Sequence, residues 1–131
     1  MKSITVTALK QWLSIIPARK YPPGISGHRP GRYTPGRDSR GLAPRPLLLD
    51  VRESEEFDFC HLDGSLHIPV TEMVTRWHEL DPTRDHVVIC HHGVRSFQVA
   101  QFLEAQGFER VINLTDGLDA WSREVDPSLP R

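Results

Sequence analysis

Cysteine is scarce in this sequence: Cys60 and Cys90 are the only two among 131 residues, too few for a disulfide framework. Long apolar runs are missing as well. No stretch approaches the ~18 residues of a membrane span. The opening Met1-Lys2-Ser3-Ile4-Thr5-Val6-Thr7 lacks the apolar centre of a signal peptide. Nor is there an excess of one charge sign. The formal net charge is -1, so global electrostatics recruit neither nucleic acid nor an acidic membrane. The expectation is a cytoplasmic protein, and in that reducing compartment a cysteine serves chemistry more readily than structure.

What is present is ordinary for a globular chain, with 38% hydrophobic and 25% charged residues. The length suits one domain over residues 1–131, with a modest core. One segment differs from the rest. Residues 17–46 hold seven of the eleven prolines, five of the nine glycines and seven basic residues against one acidic residue, Asp38. Few apolar side chains offset the ordering entropy there, so an inserted loop outside the core is expected. Its charge is about +6, which leaves about -7 on the remainder. Tyr21 and Tyr33 are its only aromatic residues, little support for stacking on nucleic acid, so a solvated insertion is favoured over an RNA contact.

Around this segment the pattern is regular. Ser3–Val6 alternates like a strand. From Thr7, read as a cap, Leu9, Trp12, Leu13 and Ile16 have helical spacing. Leu47–Val51 and His86–Cys90 are short apolar runs suited to strands buried on both faces. Ser65–Ile68 and Arg110–Leu114 read as further strands. Helices are expected over Ser54–Phe59 capped by Ser54, Thr71–Leu80 capped by Thr71, Ser96–Gln106 stopped by Gly107, and Asp116–Glu124. In the third of these, Phe97, Val99, Ala100 and Leu103 are placed inward. Strands alternating with helices imply an α/β fold around a mainly parallel sheet, with helices on both faces.

The informative stretch is Cys90-His91-His92-Gly93-Val94-Arg95-Ser96. It sets a cysteine at the carboxyl end of a buried strand, where open α/β sheets bind ligands. Gly93 allows the tight curl into the following helix, whose free amides point back at the sulfur. Those amides, the helix dipole and Arg95 favour negative charge on Cys90, and the thiolate is the nucleophilic form. A buried core cysteine is the bland alternative. A glycine, an arginine and two histidines in the next five residues are not what an apolar core requires. Cys60, at a helix end, reads as a small buried residue, and His61 and His67 as turn histidines. Zinc ligation by Cys60-His61 and Cys90-His91-His92 is not expected, since the spacing fits no zinc pattern and adjacent residues do not easily face one ion.

Four segments together resemble the rhodanese-like domains. They are Asp50-Val51-Arg52-Glu53, His61-Leu62-Asp63-Gly64-Ser65-Leu66-His67-Ile68-Pro69, the cysteine loop, and Asp116-Gly117-Leu118-Asp119-Ala120-Trp121. The likeness runs from Leu47 to about Arg131, with a weaker match at Ile4–Leu13. Asp116 departs from it, standing where the family has the first of two glycines, and Cys60 replaces a residue that is often glycine. The insertion at 17–46 occupies what is usually a short connection. The resemblance implies a three-layer α/β sandwich and a sulfurtransferase without cofactor. In that reading Cys90 takes a sulfane sulfur from a donor such as thiosulfate, holds it as a persulfide, and passes it to cyanide, a thiol or a protein acceptor. His91, His92, Gly93, Val94, Arg95 and Ser96 would bind the substrate, Arg95 either steering anionic donors or bracing the loop. Asp50 and Arg52 would support the site or form a structural ion pair. Two alternatives stand beside it. A rhodanese-like interaction or regulatory module usually has the cysteine replaced. A cysteine phosphatase or arsenate reductase has five residues between cysteine and arginine, whereas four, His91 to Val94, intervene here.

Overall fold

The computed structural model describes residues 2–15 and 45–130. Most of the basic segment expected to be an insertion at 17–46, and Ile16 of the first helix, lie outside the described residues. Among the described residues eleven elements follow one another: β1 (Lys2–Ile4), α1 (Val6–Ile15), β2 (Leu47–Asp50), α2 (Ser54–Phe59), β3 (Leu66–His67), α3 (Val70–Arg76) with a 3-10 turn at Trp77–Glu79, β4 (His86–Ile89), α4 (Val94–Ala105), β5 (Val111–Leu114) and α5 (Gly117–Glu124). The sheet runs β1-β5-β4-β2-β3, and all its pairings are parallel.

The two apolar runs form the centre of this sheet, with Leu47, Leu48, Leu49 and Asp50 beside His86, Val87, Val88 and Ile89. Successive strand side chains point to opposite faces, so each run supplies two cores. Leu49, Val51, Val88 and Cys90 pack with Met73, Val99, Ala100 and Leu103 of α3 and α4. Leu48, Val87 and Ile89 pack on the other face with Val6 and Leu9 of α1 and Leu118 and Trp121 of α5. The expected α/β layering is thereby observed. Each fully buried Leu or Val contributes roughly 1.5–3 kcal/mol, so the doubly covered central strands are the most firmly held part of the sheet.

Several element bounds and caps differ from the sequence reading: β1 lies at Lys2–Ile4 rather than Ser3–Val6, and the helices α1 to α4 differ as follows. Helix α1 begins two residues early, because Val6 and Leu9 must both be buried; Thr5, not Thr7, caps it by accepting the Ala8 amide at 3.2 Å. Helix α2 is capped by Glu53 in a reciprocal box with Glu56, not by Ser54. Helix α3 starts after Pro69, and its axis breaks into the 3-10 turn at Trp77. Helix α4 starts at Val94, directly after Gly93 in a left-handed conformation. Its buried stripe is then Ser96, Val99, Ala100 and Leu103, and Phe97 is turned outward, 42% exposed. At its far end Gly107 adopts φ +100°, the expected glycine stop.

The start of β4 carries a polar oddity. His86 is fully buried, its Nδ1 lies 2.7 Å from the Arg84 carbonyl, and its ring meets Phe108 edge-on at 5.4 Å. Nδ1 therefore carries the hydrogen, and Nε2 finds no partner among the described residues. Burial pushes the imidazole below its usual range, and the Arg84 charge acts the same way; the Arg84 carbonyl, Asp81 and Asp85 oppose it. Below a pH of about 6.5 the unfolded chain thus binds a proton that the folded chain refuses, and stability falls as pH falls. Denaturant melts at pH 7.5 and 5.5 should differ by up to about 1 kcal/mol from this group, and His86→Leu should remove that part of the difference.

Candidate active site

Strands β2 and β4 are neighbours whose exits diverge, β2 leading toward β3 on one side and β4 toward β5 on the other. The crevice beyond their carboxyl ends is a topological switch point, the usual ligand position in open α/β sheets. Asp50 ends one strand and Cys90 follows the other. Cys90 is 1% exposed. Its Sγ accepts the Gly93 amide at 3.0 Å and lies 3.3 Å from Ser96 Oγ. Ser96 is itself fully buried, and its hydroxyl donates to Asn113 Oδ1 at 2.5 Å. The Asn113 amide is oriented by its Nδ2, which faces the Gly93 carbonyl at 3.4 Å. While the Ser96 proton points at Asn113, its oxygen can accept the Cys90 S–H. Rotation of the same hydroxyl lets it donate to a thiolate.

The loop rests on the start of α5. The amides of Leu118 and Asp119 donate to the carbonyls of Cys90 and His91, each at 3.0 Å. Because a trans peptide directs its N–H opposite its carbonyl, the His91 and His92 amides then point away from α5. Gly117 makes this contact possible: a Cβ there would lie 2.3 Å from the Cys90 carbonyl oxygen and 2.5 Å from that of His91. Asp116, which departs from the two-glycine pattern, sits at φ +61°. That is the left-handed region, which aspartate tolerates better than most side chains.

Arg95 reaches from the loop to α2. Its guanidinium forms a bidentate pair with Glu56 of α2, at 2.6 and 3.0 Å. The Arg95 hydrogen bonds are the main reason that the Glu56 carboxyl is held down at about 2, and the Glu53 amide acts in the same sense. Val94 is exposed. His91 and His92 meet edge to face with ring centroids 4.2 Å apart. Burial and the neighbouring His92 lower the His91 titration.

Asp50 and Arg52 form a buried ion pair at 2.9 Å, 0% and 3% exposed, and Arg52 also donates to the Cys60 carbonyl at 2.6 Å. The pair ties the end of β2 to the end of α2. Cys60 itself is half-buried, with Sγ 3.4 Å from the Pro130 carbonyl. His61 and His67 stack in parallel on Phe57, at 3.8 and 4.4 Å. Such spacings require opposite faces of the ring, since two rings cannot occupy one face.

Of the residues singled out in the sequence, Cys90, Gly93 and Ser96 come together around the sulfur. Arg95 reaches across to α2, Asp50 and Arg52 lock the adjacent strand end, and Val94 points outward. Sequence reasoning passed over Glu56 and Asn113, and quoted Gly117 only as part of the Asp116–Trp121 segment without a role for it. Asn113 carried a signal, as a polar residue inside the apolar run Val111-Ile112-Asn113-Leu114; Glu56 carried none.

Gly117→Ala should cost ~2–4 kcal/mol in a urea melt, because the methyl group has nowhere to go but into loop backbone. Asp116→Gly should instead raise stability by about 0.5 kcal/mol by relieving the left-handed strain.

Comparison with known proteins places the fold in a family. The family model described as Rhodanese-like domain matches residues 39–124. A sulfurtransferase of Allochromatium vinosum is 36% identical over 96 residues, 69% of this chain and 90% of that protein. Thiosulfate sulfurtransferase GlpE of Actinobacillus pleuropneumoniae is 36% identical over 80 residues, 61% and 74% of the two lengths. Two further curated relatives are longer proteins, of which this chain spans 43% and 29%. The crystal structure of a rhodanese-related protein from Thermoplasma volcanium superposes with a TM-score of 0.68 at 23% identity, over 95% of this chain and 94% of that one, a likeness of fold. The matched segment takes in both central strand ends, the cysteine loop and the start of α5, and on it this chain belongs to the rhodanese-like domain family.

Proposed function

We propose that the protein is a sulfurtransferase in which Cys90 carries the sulfur in transit. The observation that carries this reading is the Gly93 amide directed at Cys90 Sγ at 3.0 Å, with the Ser96 hydroxyl at 3.3 Å able to donate or accept. That surrounding suits a sulfur whose charge changes during a reaction cycle, and it suits a persulfide anion as well as a thiolate.

In the first half-reaction the Cys90 thiolate attacks the outer sulfur of a donor. For thiosulfate, the S–S bond of the donor breaks, sulfite leaves with the electron pair, and a Cys90 persulfide remains. In the second, cyanide or a thiolate attacks the outer sulfur, a new bond to it forms, and the Cys90 thiolate is released. No net proton is required when both nucleophiles arrive ionised. This is covalent catalysis in two steps, with ping-pong kinetics. The near-complete burial of Cys90 favours a donor that inserts one terminal atom. The four-residue spacing to Arg95, and the engagement of that guanidinium by Glu56, speak against a loop that wraps a phosphate. Arg95 here positions the loop, and Asp50 and Arg52 hold the neighbouring strand end. Thiosulfate as donor is supported by the name of one relative; a small thiol, cyanide or a protein thiol are the acceptors that fit the chemistry.

Mass spectrometry of the intact protein after incubation with thiosulfate is expected to show a species heavier by about 32 Da, one sulfur atom, mapped to Cys90. Cys90→Ser should abolish transfer to cyanide, and Cys60→Ser should keep most of it. Equal loss in both variants would replace the single-cysteine scheme with a thiol pair.

A further inference from the structure

Three ligand-type side chains beside the cysteine loop are not used by the sulfur chemistry. A ring nitrogen of His91, a ring nitrogen of His92 and a carboxylate oxygen of Asp119 all lie within 4.8 Å of one another. No other group of three His, Cys, Asp or Glu side chains comes together in this way among the described residues. The convergence is built into the backbone. The Asp119 amide is bound to the His91 carbonyl at 3.0 Å, which fixes α5 against the loop, and the two adjacent rings meet 4.2 Å apart and 77° from coplanar.

We propose that His91, His92 and Asp119 bind a borderline divalent transition metal, zinc being the type case. Two imidazoles and one carboxylate are a donor set that such ions accept with one position left open. The set is poor for magnesium or calcium, which take oxygen ligands. Bond lengths near 2.0–2.2 Å put tetrahedral ligand atoms roughly 3.3 Å apart. The existing separations must therefore close by about 1.5 Å at most, and His92, which is exposed, can supply that by side-chain rotation. Asp119 already accepts a hydrogen bond from Arg123 Nε at 3.0 Å, so this arginine competes with the ion for the carboxylate. A bound ion would pin the loop residues following Cys90 to α5. Its effect on sulfur transfer rests on the reading of Cys90 given above; its binding does not.

The test separates the two. Tag-free full-length protein carrying Cys60→Ser and Cys90→Ser, and so no thiol, is titrated with cobalt(II). A saturable visible absorption band at one ion per chain, removed by added zinc, is expected. His92→Ala and Asp119→Asn in that background should each weaken binding at least about tenfold, and Arg123→Ala should tighten it. Circular dichroism confirms that each variant is folded. With both cysteines restored, zinc should inhibit cyanide-dependent turnover, and the concentration for half inhibition, taken relative to each variant's own rate, should rise in the His92→Ala protein. Absence of the cobalt band, or an affinity indifferent to both His92→Ala and Asp119→Asn, overturns the proposal. Cobalt binding in a protein that forms no persulfide would leave the metal site standing and remove the sulfur-transfer reading.

Discussion

Two backbone hydrogen bonds, from the Leu118 and Asp119 amides to the carbonyls of Cys90 and His91, set the shape on which the candidate site depends. A strand that ends in the middle of a sheet leaves polar peptide groups at a buried place, and each must find a partner. Here the carbonyls are satisfied by the orphan amides of α5, which solves the same difficulty at the start of that helix. The amides on the other side of those peptides are consequently turned toward the loop. The requirement for close backbone approach then propagates to Gly117 and to the left-handed Asp116. Stabilising the helix start and orienting the loop are one event.

A second lock acts on the neighbouring strand. The Asp50–Arg52 pair is buried, and such a pair is a poor source of net stability because both charges lose their hydration. Its geometric effect is clearer. Arg52 receives structure from both sides, donating to Asp50 and to the Cys60 carbonyl, while its own carbonyl lies 2.7 Å from His67 Nε2. The end of β2, the end of α2 and the end of β3 are therefore held at one point. Glu56, on the same short helix, reaches Arg95. Helix α2 has no buried residue, so charge pairs and the Phe57 stack, not apolar burial, attach it beside the cysteine loop.

Much of this was legible because it obeys local rules. Leu47–Leu49 and Val87–Ile89 are too short and too apolar for anything but covered strands, and their parity dictates which core each residue joins. The glycine and arginine spacing after Cys90 marks a loop that a plain core cysteine would not need. What escaped was tertiary. Nothing local distinguishes Thr5 from Thr7 as a cap, and the choice was made by the burial of Val6. Phe97 was misplaced because α4 follows Gly93 directly and so begins at Val94, two residues before Ser96, and its buried stripe is Ser96, Val99, Ala100 and Leu103. Glu56 is ordinary in sequence and becomes part of the site only through a contact with a residue 39 positions away. Asn113 was readable in principle as polarity within a strand, but its partner, Ser96, is named only by the fold.

The rims of the sheet have a consequence of their own. Its outermost strands, β1 and β3, are three and two residues long, while the four-residue strands lie inside. Such brief borders present few unpaired main-chain groups and offer a poor template for strand addition by another polypeptide. Among the described residues, then, the sheet offers a partner side chains and helix surfaces more than main chain, and it limits edge-to-edge pairing by brevity alone.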